Sequence, residues 1–84
     1  MMDVVVEAKA LEPYILEVTF ADGARKRINV ESVLYGEVFE PLRDPSLFCQ
    51  VAVDQELGTV VWPNGADLSP EFLRSAEAET VTAP

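Results

Sequence analysis

The chain contains no histidine, so it lacks the usual general base near neutral pH and the commonest metal ligand. Its single cysteine, Cys49, forbids an intrachain disulfide. A thiol nucleophile there would find no imidazole to activate it, and its place in an apolar run predicts a buried small hydrophobe. Glycines occur only at 23, 36, 58 and 65, too far apart for a phosphate-cradling loop. No apolar run approaches the roughly 18 residues of a membrane-spanning helix. The N-terminal stretch has Asp3 where a secretory signal carries positive charge, so the chain reads as cytoplasmic. Bases are scarce as well: 6 against 15 acids, a formal net charge of −9. Such a field repels nucleic acid, whose binding depends on neutralising phosphates.

What is present fits one small domain. Eighty-four residues, 49% of them hydrophobic, are too apolar for a disordered chain. A chain of this size buries only roughly 60% of its unfolded surface, so its core is modest. The pattern predicts an α+β fold, mainly antiparallel sheet, with an N-terminal strand, two hairpins and a short C-terminal helix. Residues 1–74 form the domain, and 75–84 read as an acidic flexible tail.

The strands follow from β-branched content and alternation. Residues 4–10 make the first, and Pro13 marks a turn. Residues 14–20 alternate, with Tyr14, Leu16, Val18 and Phe20 on one face, and residues 24–30 return. A two-residue Asp22-Gly23 loop would mix charges into the apolar face by pairing Val18 with Arg27. A three-residue Ala21-Asp22-Gly23 loop with left-handed Gly23 pairs Leu16 with Ile28 and sets Glu17 opposite Arg27. The second register keeps the core apolar and is the one expected.

One helical turn is expected before Gly36. Residues 37–43 contain Pro41 and too little periodicity for a regular helix, and read as an irregular segment with Val38, Phe39 and Leu42 inward. Asp44-Pro45-Ser46 is a cap with proline at the first helical position, delivering Leu47 and Phe48 to the core. Residues 48–53 and 59–62 form the second hairpin. Ser69-Pro70-Glu71 starts the closing helix.

Arg25-Lys26-Arg27 is the only clustered positive charge, a candidate anion contact or a solvated strand face paired with Glu17. Asp22, Asp44, Asp54 and Asp67 stand in or beside turns, where aspartate bonds its own backbone, and show no calcium-loop spacing. Trp62-Pro63-Asn64-Gly65-Ala66-Asp67 holds the sole tryptophan. It reads as a tight strand-to-helix connector with Trp62 plugging the core, or as an aromatic anchor beside a rigid turn, with Trp62, Asn64 and Asp67 as candidate partner contacts. No catalytic, cofactor-binding or metal-binding residue is assigned, and no enzyme is expected.

The order Phe20-Ala21-Asp22-Gly23, Val38-Phe39 with Leu42 and Asp44, Phe48 with Val51 and Val53, then Trp62-Pro63-Asn64-Gly65-Ala66-Asp67 with Leu68 and Ser69-Pro70 resembles the bacterial domain-of-unknown-function family 2442 (DUF2442). The resemblance spans roughly residues 4–74, and the tryptophan run is its specific part. It implies a small α+β domain, found alone or ahead of a helix-turn-helix. The stretch after residue 75 is too short for such a motif, so DNA binding through one is not expected. Genes of this kind often neighbour those of another small family, 4160 (DUF4160), and a toxin–antitoxin-like pairing has been proposed. The resemblance carries over no catalytic residue.

The expected function is therefore a non-enzymatic protein-interaction module, antitoxin-like beside a small DUF4160-like protein. Its partner would be a small basic protein or a second copy through a strand edge. The alternative is a regulatory accessory domain associated with transcription or nucleic acid through Arg25, Lys26 and Arg27. A small enzyme with a carboxylate dyad is the third reading.

Overall fold

The loop Ala21-Asp22-Gly23 sets the register of the first sheet. Gly23 takes φ +92° and donates its N–H to Phe20 O at 2.9 Å, while Phe20 N–H donates to Ala24 O at 2.8 Å. This is the type I turn with a left-handed bulge that a three-residue hairpin requires. The strands on either side, β2 (Ile15–Phe20) and β3 (Arg25–Asn29), pair Leu16 with Ile28 and Glu17 with Arg27, as the apolar face demands. A computed structural model describes residues 4–12 and 14–76. The expected turn at Pro13 and residues 77–84 of the expected tail 75–84 lie outside the described residues; Ser75 ends the closing helix and Ala76 packs against the core.

β1 (Val5–Leu11) pairs antiparallel with β2, giving a three-stranded sheet ordered β1-β2-β3. Its register shifts between Val5 and Glu7, and the bulge turns Val6 outward, 49% exposed. Val5 N–H donates to Gly58 O at 2.9 Å, which joins this sheet to the second one.

The middle of the chain is more helical than its sequence suggests. A 3-10 turn covers Glu31–Val33, α1 is Gly36–Phe39, a second 3-10 turn covers Glu40–Arg43, and α2 is Pro45–Phe48. Single turns are too short to show a helical period, so the irregular assignment of 37–43 is corrected to two successive turns. Leu42 is fully buried and Phe39 packs on the core, but Val38 lies on the outer side of α1, 46% exposed, against the inward orientation expected. Asp44 caps α2 as expected, its Oδ1 accepting from Ser46 N–H at 3.0 Å, with Pro45 at the first position.

α2 also ends later than the alternation of 48–53 implied. Strand β4 is only Ala52–Asp54, and Cys49 and Gln50 leave the helix as a turn. Cys49 is consequently exposed rather than buried. The second sheet adds β5 (Thr59–Val61) and a strand the sequence reading missed, β6 (Asp67–Leu68), in the order β4-β5-β6.

The loop joining β5 to β6 repeats the first hairpin's geometry. Gly65 has φ +92°, Gly65 N–H donates to Trp62 O at 3.1 Å, and Trp62 N–H donates to Ala66 O at 2.9 Å. In both loops the residue before the glycine accepts from the amide after it: Asp22 from Ala24 at 3.0 Å, Asn64 from Ala66 at 3.1 Å. The tryptophan run is thus a hairpin before it is a connector. The buried Thr59 hydroxyl donates to Leu68 O and fastens β6 to β5.

α3 (Pro70–Ser75) follows at once, with Ser69 Oγ accepting from Phe72 N–H at 3.0 Å. One hydrophobic cluster takes Leu16, Val18, Phe20 and Ile28 from the first sheet, Val60 and Leu68 from the second, and Leu42, Phe48 and Leu73 from the helical turns. The result is α+β and mostly sheet.

A Cβ built on Gly23 meets no heavy atom within 4 Å. The cost of Gly23→Ala is therefore the backbone's alone, about 1–2 kcal/mol for an L-residue held left-handed. In a domain of this size each kcal/mol lowers the melting temperature by about 4–8 °C. Gly65→Ala is expected to cost the same, because its loop and open surroundings match. Thermal unfolding measures both, and variants melting with the wild type would remove the bulge assignment.

Candidate functional site

The tryptophan hairpin places its three candidate contacts differently. Trp62 is 3% exposed, and its indole N–H donates to Phe48 O at 2.9 Å. Its ring stacks on Phe48 with centroids 6.0 Å apart, and Tyr14 meets Phe48 edge-on at 5.7 Å. The Tyr14 hydroxyl donates to Arg43 O at 2.6 Å. The indole is thus a core element with its only donor satisfied.

Asn64 and Asp67 are on the surface. While Asn64 Oδ1 holds its own loop, Nδ2 donates to Val38 O at 2.9 Å and pins α1 to the hairpin. Beside this contact stand two exposed apolar side chains, Tyr35 at 69% and Val38 at 46%. Sequence reading placed Val38 inward and did not name Tyr35. The signal was Gly36, whose φ of +87° starts a helical turn just after Tyr35 and leaves that ring outside.

The basic run divides by strand alternation. Arg25 and Arg27 are exposed on the outer face of the first sheet, with Glu17 and Lys9 on the neighbouring strands. Arg27 Nε donates to Glu17 Oε2 at 2.9 Å, the pair expected from the register. Lys26 points to the other face. Its ammonium donates to Leu73 O at 3.0 Å, Arg74 O at 2.6 Å and Ala76 O at 2.6 Å, closing the C-terminus of α3. An ammonium has three N–H donors, so Lys26 is fully engaged where the helix dipole is negative. The three residues do not form one anion cradle.

Arg74 ties the same helix to the first hairpin. Its Nη2 donates to Asp22 Oδ2 at 2.8 Å, and its guanidinium lies 4.1 Å from the centre of the Phe20 ring.

The turn aspartates bond local backbone: Asp22 accepts from Ala24, Asp44 from Ser46, and Asp54 from Glu56 and Leu57. Among the described residues no three of Cys, Asp and Glu converge on a point where an ion would sit. Cys49 Sγ lies 3.3 Å from Ser46 O. Hydrogen bonds move three carboxyls below their ordinary values. For Glu17 the cause is chiefly the Arg27 hydrogen bond; for Asp22 it is the Ala24 amide and then Arg74; for Asp44 it is the hydroxyl and amide of Ser46. All three are structural contacts; Glu17 shares a shallow depression on the first sheet with Glu7, Lys9, Thr19 and Arg25.

A family model described as protein of unknown function (DUF2442) matches residues 5–79. The chain belongs to the DUF2442 family. No curated protein and no solved structure is significantly similar to it. In this DUF2442 chain no helix among the described residues is long and apolar enough to cross a membrane.

Two outcomes follow for the DUF2442 core and its surface. Trp62→Ala removes a buried ring stacked on Phe48 and takes away the 2.9 Å donor to Phe48 O, which keeps only the longer bond from Val51 N–H. A loss of about 3–5 kcal/mol by chemical denaturation is expected. Glu17 has its folded pKa lowered, so its pairing with Arg27 favours folding above the unfolded value of about 4.3. That contribution disappears as pH falls through the lower folded value. The stability difference between wild type and Glu17→Gln should therefore be largest at pH 7 and shrink as the pH falls below about 4 in paired urea titrations. A difference independent of pH would assign it to packing.

Proposed function

We propose that this DUF2442 chain is a non-enzymatic protein-interaction module that docks a small basic protein through the surface around Tyr35 and Val38. The observation that carries the reading is the exposure of these two side chains, 69% and 46%, on a helical turn held to the tryptophan hairpin by Asn64. Exposed aromatic and aliphatic groups on a fixed backbone supply contact area at little cost in ordering. Glu31, Glu37 and Glu40 lie exposed on the same helical segment. A basic partner with an apolar anchor complements such a surface, with the acids steering the encounter.

Trp62 serves this surface from beneath by fixing the hairpin that carries Asn64. The partner that fits best is a small basic protein encoded beside it, of the DUF4160-like kind, which makes the chain the antitoxin-like member of a pair. An acidic, folded cover for a basic protein needs no catalytic group of its own.

The test is titration calorimetry between the purified chain and the product of the adjacent gene. Both substituted side chains are exposed, so the double variant Tyr35→Ser with Val38→Ser should melt within about 0.5 kcal/mol of wild type. It should bind at least about tenfold more weakly, the loss expected from an aromatic anchor. Unchanged affinity would move the contact elsewhere, and a monomer that ignores the adjacent product would end the pairing.

A further inference from the structure

The outer edge of β3 is a second surface of opposite character. Hydrogen-bonded pairs alternate along an antiparallel ladder. Phe20 N–H donates to Ala24 O and Val30 N–H to Tyr14 O, so Lys26 and Ile28 are the β3 residues that face β2. The N–H and C=O groups of Arg25, Arg27 and Asn29 therefore point away from the sheet, and no strand among the described residues pairs with them. The other edge of this sheet is covered: Val5 of β1 donates to Gly58, and β1 lies against β4.

We propose that this edge accepts an extended acidic segment of another protein as a fourth strand. Three features select that occupant. Arg25 and Arg27 stand two residues apart on one face, the spacing at which carboxylates alternate along a paired strand. Among the described residues no carboxylate lies within ion-pairing distance of Arg25, and Arg27 is held by Glu17 through Nε. With Lys9, these two arginines outnumber Glu7 and Glu17 on the sheet's outer face, in a chain whose net charge is −9.

A second copy fits poorly. Antiparallel pairing of β3 with itself about Lys26 sets Arg25 against Arg27, and like charges directly opposite are destabilising. Lys26, bonded to the end of α3 on the inner face, meanwhile holds β3 in place before any partner arrives. Main-chain hydrogen bonds would give affinity, and the two arginines would choose an acidic strand over a basic one.

The probe is a short peptide alternating glutamate with threonine, titrated into the nitrogen-15-labelled full chain. Two controls accompany it: the same peptide with lysine for glutamate, and the glutamate peptide N-methylated at alternate amides. Amide resonances of Arg25, Arg27 and Asn29 should shift with the first peptide alone. Arg25→Glu, which leaves the Arg27–Glu17 pair in place, should weaken that binding about tenfold with an unchanged melting temperature. The Tyr35→Ser, Val38→Ser variant should bind the peptide like wild type, which separates this edge from the surface under Proposed function. Equal binding of the lysine or N-methylated peptide, no shift at these amides, preference for a single-stranded oligonucleotide, or the same shifts arising from self-association would each overturn the proposal.

Discussion

The indole N–H of Trp62, donating to the carbonyl oxygen of Phe48 across a stacked pair of rings, ties the second sheet to the helical turns between the sheets. Phe48 in turn receives the edge of Tyr14 from the start of β2, so three rings run from one sheet to the other. The carbonyl at Phe48 is at the end of α2, where Val51 N–H reaches it from 3.3 Å, a longer bond than the 2.9 Å of the indole. The indole satisfies that group in the interior, which is why a ring of this size with a polar edge stands there. The two sheets also share the β1 contact at Gly58 and the hydrophobic cluster that draws Leu16, Val18 and Phe20 from the first and Val60 and Leu68 from the second.

The closing helix depends on a second long-range arrangement. Six residues are far below the length at which a helix persists in water, so α3 exists because its two ends are held. Ser69 caps the first turn, and the last carbonyls meet the Lys26 ammonium from β3. Arg74 reaches back to Asp22 and Phe20 at the mouth of the first hairpin. A strand residue that would otherwise belong to a cationic patch is thus a helix cap, and this removes one charge from the surface on which an anion site would rest.

Local chemistry was legible in the sequence; distant pairing was not. Asp22-Gly23, Asp44-Pro45 and Ser69-Pro70 each act within a few residues of themselves, and each adopts the turn or cap its side chain dictates. The register of β2 and β3 was legible because a slip would bury Arg27. β6 was not, since two residues carry no period, and its partner is fixed by the Trp62–Ala66 loop and the Thr59 hydroxyl. Yet the loop sequences Phe-Ala-Asp-Gly-Ala and Trp-Pro-Asn-Gly-Ala share one plan, and that likeness was a usable signal for a third hairpin. Cys49 and Val38 were misplaced for a common reason. Residues 48–53 were read as an alternating strand and 37–43 as an irregular segment with its apolar residues inward, where in each a single helical turn rotates one of those positions to solvent. The Lys26 contact joins residues 47 to 50 apart in sequence, and nothing local foretells it.

The same contacts decide how charge is distributed over the surface. Of the six cations, Lys26, Arg43 and Arg74 donate to backbone carbonyls or to Asp22 within the fold. The remaining three, Lys9, Arg25 and Arg27, all stand on the outer face of the first sheet. Of the described acids, only Glu7 and Glu17 share that face, and the rest are spread over the helical turns, the loops, the second sheet and α3. A chain of strongly negative net charge therefore presents one sheet face where the local sign is reversed, beside an open row of backbone donors and acceptors. Screening confines such local fields to about 8–10 Å at physiological salt, so the field over the helical surface and the field at the sheet edge act separately. We propose for the first a basic, apolar contact and for the second an acidic strand; the Trp62–Phe48 core keeps the two surfaces in fixed relation.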